Sequence, residues 1–306
     1  MPDYGHPLRF ATFISPTNSP APRPVELAQL SERLGFDLVT FQDHPYRSDF
    51  LDTWTLLSWV AARTERIGVS GNVLNLPLRQ PPAVLARAAA SLDLLCGGRM
   101  NLAIGAGAYW DAVESVGGRR LTPRQGVEAL DEAIDVIRGI WDAAEPSALH
   151  AGGEFYKVDG AERGPVPAHD IPIWLGAYKP RMLDLVGRKA DGWLPSLLPF
   201  MEPDGVQRGN AIIDDAARAA GRDPREITRL LNIFPGKTPE ALTQMALEDG
   251  VSTFILMSDD PEILERFAGE VIPAVREQVA RERKQTGMPA VADGALTQPI
   301  PGEDRP

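Results

Sequence analysis

The sequence predicts an α/β fold, a (β/α)8 TIM barrel with an insertion around residues 145–170. Three observations predict it: eight short apolar or β-branched runs, helical periodicity between them, and cap or stop residues at the junctions. The runs lie at 8–15, 36–42, 67–73 and 100–106, then at 171–177, 192–197, 227–234 and 251–257. The sixth is interrupted by Pro195, which has no N–H for a ladder. Between the runs, RQGVEALDEAIDVIRGIW spaces Val127, Leu130, Ile134, Ile137 and Trp141 three or four apart, along one helical face. AVLARAAASLDLL repeats this with Leu85, Ala88, Leu92 and Leu95. Asp52, Thr122, Thr238 and Asp260 stand where a capping oxygen is needed, and Gly35, Gly97 and Gly221 read as helix stops. Glu145 to Asp170 is rich in Gly and Pro and too long for a βα connection. It reads as an excursion with a small hairpin pairing LHA with FYKV. One barrel domain is expected over 1–284, with an extended or disordered tail over 285–306.

Composition narrows the function classes. The 42 acids against 31 bases, net −11, disfavour nucleic acid, whose binders need a basic face. The one cysteine, Cys96, cannot form an internal disulfide and reads as a buried structural thiol. No run approaches the ~18 apolar residues that span a bilayer, and the N-terminus has no signal pattern. A cytoplasmic protein with no membrane partner is expected.

Ligands of a parallel barrel bind at the carboxyl ends of its strands. After the second run stand Asp43 and His44: an imidazole titrates near working pH, and an adjacent acid can orient it or hold its charge. The alternative is a capping acid beside a loop histidine. His6, His150 and His169 lie in the N-terminal arm and the excursion, and with no HxH or HExxH spacing no catalytic metal is expected. GAGA at 105–108 lacks the third glycine of a dinucleotide fingerprint. It is either a tight turn or bare backbone at Ala106 and Gly107 able to lie against a planar ring. GAYKPR at 176–181 is either a capped helix start or an anion site. The second use would draw on Gly176, Ala177 and Tyr178 at a helix N-terminus, with charge from Lys179 and Arg181. Trp59, Trp174 and Trp193 read as core. Tyr46, Trp54, Tyr109 and Trp110, near strand ends, read as substrate-pocket residues.

Taken together, DH at 43–44, DTWTLLSWVAARTERIGVSGNV at 52–73, RQPPAVLARAAASLDLLCGGRMNLAIGAG at 79–107 and IPIWLGAYKPRMLDLVGRKADGWLPS at 171–196 resemble the luciferase-like superfamily of flavin- or deazaflavin-dependent oxidoreductases. The resemblance covers roughly residues 8–280. It implies a barrel, commonly a homodimer, with a reduced ring bound at the carboxyl end. His44 would stand near the reactive ring carbon with Asp43 orienting it. A non-prolyl cis peptide at Asn72-Val73 would bulge against the ring, and GAYKPR would hold the phosphate. The Asp-His pair leans toward coenzyme F420 and hydride transfer with a small organic substrate. The runner-up is a reduced-FMN-dependent monooxygenase fed by a separate flavin reductase, and a third reading is a non-catalytic flavin-binding protein. Ala108 and Tyr109 stand where sugar-phosphate-oxidising relatives carry an acid, which argues against that oxidation.

Overall fold

The computed structural model describes residues 2–196, 201–202 and 204–287. Strand and helix alternate along the chain. β1 (Arg9–Ile14) leads to α1 (Arg23–Arg33), and β2 (Leu38–Phe41) to α2 (Thr53–Ala61). β3 (Gly68–Gly71) and the short β4 (Leu74–Asn75) lead to α3 (Pro82–Cys96), and β5 (Met100–Gly105) to α4 (Trp110–Ser115) and α5 (Pro123–Trp141). A hairpin of β6 (Leu149–Gly152) and β7 (Lys157–Ala161) follows. β8 (Ile173–Leu175) then leads to α6 (Pro180–Lys189), and β9 (Gly192–Trp193) to α7 (Gly205–Ala219). β10 (Thr228–Ile233) leads to α8 (Pro239–Glu248), and β11 (Thr253–Met257) to α9 (Pro261–Arg266) and α10 (Ile272–Thr286).

Eight parallel strands close on themselves in the order β1, β2, β3, β5, β8, β9, β10, β11, with β11 paired back to β1. The chain is therefore a (β/α)8 barrel, and each of the eight runs contributes one strand. Strand alternation sorts the side chains: Phe10 faces the helices, while Ala11 faces the barrel interior with Leu38, Ala103, Trp174, Leu194, Leu230 and Ile255. The sixth strand shortens to Gly192–Trp193 because Pro195 can only accept, taking the Asn232 N–H on its carbonyl. A lone bridge between Ser196 and Asn232 resumes the pairing, and residue 197 of that expected strand lies outside the described residues.

The expected caps form. Asp52, Thr122, Thr238 and Asp260 each accept a first-turn backbone N–H, and Thr122 with Gln125 completes a reciprocal capping box. Gly35, Gly97 and Gly221 end α1, α3 and α7 with φ of +82°, +70° and +73°. Two helical faces differ from expectation. On α3 the buried stripe runs through Leu85, Ala86, Ala89, Ala90 and Leu92, which leaves Leu95 87% exposed. On α2 the stripe is Thr53, Leu56, Leu57, Val60 and Ala61, so Trp59 lies outside the core at 56% exposure, with the Arg63 guanidinium 5.1 Å from its ring centroid. Both segments carry apolar residues all round, and periodicity cannot then choose the inward face. Cys96 is only partly buried. The hairpin in the excursion pairs Leu149–Gly152 with Lys157–Ala161. Helix α10 continues through Thr286, two residues into the expected tail, and residues 288–306 of that tail lie outside the described residues.

The N-terminal end of the barrel is closed by Arg229, 1% exposed, which bonds Asn210 and Asp214 beneath the Tyr4 ring. These groups seal that end, and ligands of a parallel barrel bind at the opposite one.

Candidate active site at the carboxyl ends of the strands

A cleft of about 570 Å³ opens at the carboxyl end. Its walls come from six strand ends: Asp43, His44 and Tyr46 after β2; Asn72 to Asn75 around β4; Gly105 to Tyr109 after β5; Gly176, Tyr178 and Lys179 after β8; Leu194 and Ser196 after β9; and Asn232 on β10.

The floor is built around the Asn72–Val73 peptide, which is cis. Val73 projects between Gly105 and Gly176. A Cβ on Gly105 would stand 2.9 Å from Val73 Cγ2, and one on Gly176 3.1 Å from it. Glycine at both positions is therefore what lets the bulge sit flat against bare backbone. Asn72 is tied down from the far side of the barrel: its Nδ2 donates to Asn232 Oδ1 at 2.7 Å, and Asn232 Nδ2 donates back to Asn72 Oδ1 at 3.0 Å. Asn232 Nδ2 also donates to Ser196 Oγ, and Asn72 Nδ2 to Thr40 Oγ1. Asn72 was expected at the site, but its partner Asn232 was not. Its only trace in the sequence is an asparagine inside the apolar run LLNIF.

Asp43 and His44 lie together at the rim, but the expected contact between them is replaced. The Asp43 carboxylate, fully buried, accepts Arg79 Nη2 at 2.5 Å, Arg79 Nε at 3.0 Å and the Asn75 backbone N–H at 2.8 Å. A bidentate guanidinium occupies both oxygens, so Asp43 braces the loop after β3. Arg79 also reaches Asp52, the cap of α2. The partner of His44 is Tyr46, whose Oη lies 2.6 Å from Nδ1. The Tyr109 ring meets His44 edge-on at 5.6 Å between centroids. Burial lowers the His44 pKa from its ordinary value, and Arg47 adds to this while Asp43 opposes it. The same burial, reinforced by Tyr109 and Asp43, pushes the Tyr46 hydroxyl up to about 12. At neutral pH the pair is thus a neutral imidazole against an intact phenol.

Beside the main cleft a second one of about 490 Å³ shares Ala106, Gly107, Lys179 and Met182 and adds Trp110 and Arg181. Both cations sit at the start of α6, where first-turn N–H groups have no intrahelical acceptor. Of the remaining expected residues, Ala177 lies behind the wall, with its carbonyl accepting the Trp193 indole N–H at 2.9 Å. Trp54 packs partly buried against the helix-side core instead of lining the cleft. The other ring systems expected nearby, Tyr46 and Tyr109, do line it. His150 and His169 are engaged with Asp159 and Asp93. Among the described residues no group of three or more His, Cys, Asp or Glu gathers as a metal site. No helix among them is long and apolar enough to cross a membrane.

The fold is a (β/α)8 barrel whose strand ends bring a bulged peptide, bare glycine backbone and a histidine into one cleft. A protein-family model for luciferase-like monooxygenase matches residues 8–299, and the chain belongs to that family. The chain is 31% identical over 215 residues to an F420-dependent glucose-6-phosphate dehydrogenase of Nocardia farcinica. That match covers 68% of the chain but 63% of the relative, so the chain spans less than two thirds of that enzyme's length. It is 29% identical over 272 residues to a 5,10-methylenetetrahydromethanopterin reductase of Methanolobus tindarius, covering 88% of the chain and 78% of the relative. An F420-dependent secondary alcohol dehydrogenase, solved with an F420-acetone adduct, superposes with a TM-score of 0.76 at 20% identity. It covers 88% of this chain and 99% of that one, a likeness of fold.

Proposed function

We propose that this chain transfers hydride between the deazaflavin coenzyme F420 and a small organic substrate, with His44 giving or taking the accompanying proton. The observation that carries the proposal is the juxtaposition of the Val73 bulge, the bare backbone of Gly105 and Gly107, and His44 in one cleft. Relatives at 29–31% identity that are named for F420 or a pterin reduction support the same choice.

The residues fit such a group. Val73 and the Ala106 and Gly107 backbone form a surface against which a planar ring can lie. Asn75 Oδ1 is buried in the same wall without a hydrogen-bond partner, an acceptor suited to a ring N–H. Lys179, Arg181 and the start of α6 suit the anionic end of the cofactor. The bound cofactor supplies the hydride. His44, neutral because it is buried, can exchange a proton with the substrate oxygen, and the Tyr46 and Tyr109 rings shield that exchange from water. We further propose a homodimer, supported by the exposed Trp59 on α2 and Leu95 on α3, and a cytoplasmic location.

Titration with oxidised F420 and with FMN, read by fluorescence quenching, tests the cofactor. Saturable F420 binding is expected; saturable FMN binding with none for F420 would replace the reading by a reduced-FMN monooxygenase served by a separate reductase. His44→Ala should slow turnover by ~10²-fold or more while leaving cofactor affinity near wild type. F420 binding without turnover of any carbonyl or alcohol across a broad panel would favour a non-catalytic binding protein.

A further inference from the structure

We propose that Tyr46 is the positioning residue of His44: it fixes the ring and its tautomer, so that the imidazole meets the substrate as a neutral Nε2–H donor. The inference rests on the hydride-transfer reading above and names the residue that controls proton movement in it. Two geometric facts carry it. The Tyr46 hydroxyl lies 2.6 Å from His44 Nδ1, and the acid beside the histidine is fully engaged elsewhere, with both Asp43 oxygens held by Arg79.

Chemistry assigns the shared proton. A phenol is the stronger acid and an imidazole nitrogen the stronger acceptor, so Oη–H donates to Nδ1 and the ring proton resides on Nε2. The burial that raises Tyr46 and lowers His44 preserves this arrangement at neutral pH. The groups around the pair are Asp43 and Arg47 on the same loop, Phe50 beyond it, and Tyr109 from the loop after β5, with Tyr178 and Lys179 across the cleft. Asp43 acts on the ring through space, while its hydrogen bonds go to Arg79 and Asn75.

When a carbonyl is reduced, a bound hydride-donating cofactor would supply the hydride for the new C–H bond and be oxidised in doing so, and the residues of this chain would move the accompanying proton. The carbonyl oxygen takes the proton from Nε2, while Nδ1 takes the phenol proton of Tyr46. A solvent proton then returns to Nε2 while Nδ1 hands its proton back to the Tyr46 oxygen, which restores the starting tautomer, and alcohol oxidation runs the same transfers in reverse. A carboxylate in the place of Tyr46 would instead favour a protonated ring.

The test begins on cofactor-free protein, by ¹⁵N NMR of the imidazole nitrogens, with His44 assigned by its absence in His44→Gln. The wild type should show a protonated Nε2 and an Nδ1 shifted as a hydrogen-bonded acceptor. In Tyr46→Phe that acceptor shift should disappear and the two tautomers mix. A wild-type ring protonated at Nδ1, or a spectrum unchanged in Tyr46→Phe, would overturn the proposal whatever cofactor the protein uses. A failure of the F420 titration would instead count against the hydride-transfer reading alone. In turnover, Tyr46→Phe should lower kcat roughly tenfold or more with little change in cofactor affinity, short of the loss in His44→Ala. The proton inventory of the solvent isotope effect should be bowed for wild type, two protons moving together, and linear for Tyr46→Phe. A linear wild-type inventory would exclude the coupled transfer.

Discussion

Replacing Arg79 by methionine removes the counter-ion of Asp43 while keeping the aliphatic stem. The Asp43 side chain has no exposure and that of Arg79 has 14%, so solvent can do little to rehydrate the stranded carboxylate. Breaking a buried pair by removing one partner costs about 3–5 kcal/mol. The second ion pair of Arg79, to the 42%-exposed Asp52, adds no more than ~1 kcal/mol. Urea unfolding of cofactor-free protein should therefore show Arg79→Met destabilised by about 3–5 kcal/mol. Combining it with Asp43→Asn removes the stranded charge yet keeps an acceptor for the Asn75 N–H, and should recover at least half of the loss. Because Asn75, held by Asp43, lines the cleft beside Val73, the single variant should also bind cofactor more weakly. A loss below ~1 kcal/mol, the range of surface pairs, would refute the assignment of Asp43 to structure. So would a double variant no better than the single one.

Gly105→Ala sets a methyl 2.9 Å from Val73 Cγ2, so it should displace the bulge, cost about 1–3 kcal/mol and weaken cofactor binding in the same quenching titration. Lys179→Ala should weaken binding roughly tenfold, the equivalent of one charge-assisted hydrogen bond, and flatten the dependence of affinity on salt. The folded-state pKa of His44 is depressed below its unfolded value, so the unfolded chain binds the proton first. His44 therefore opposes stability as pH falls from the ordinary histidine range through the depressed folded value, and has no such effect above it. His6 is depressed too, also chiefly by burial. Replacing His44 by glutamine should reduce, without abolishing, the acid-side slope of stability against pH, and an identical slope would contradict the burial assigned to the ring.

The barrel was legible because its determinants are local. Eight apolar runs, four capping oxygens and three glycine stops each act within a few residues of themselves, and each appears where the chain alone places it. Strand-end placement also marked Asp43, His44, Val73 and Gly107 as neighbours of one cleft, since a parallel barrel gathers every such end on one face. What sequence could not decide was pairing across distance. Asp43 joins Arg79, 36 positions on, and Asn72 joins Asn232, 160 positions on. Barrel closure alone brings these groups together, and once Arg79 claims the carboxylate, His44 is left to Tyr46. The same limit explains Trp59 and Leu95: a helix apolar on every side shows no inward face until its neighbours dock. Local chemistry determined the scaffold and which residues reach its rim. Tertiary structure decided which of them hold one another, because hydrogen bonds and ion pairs select partners by position in space, and only the closed barrel sets those positions.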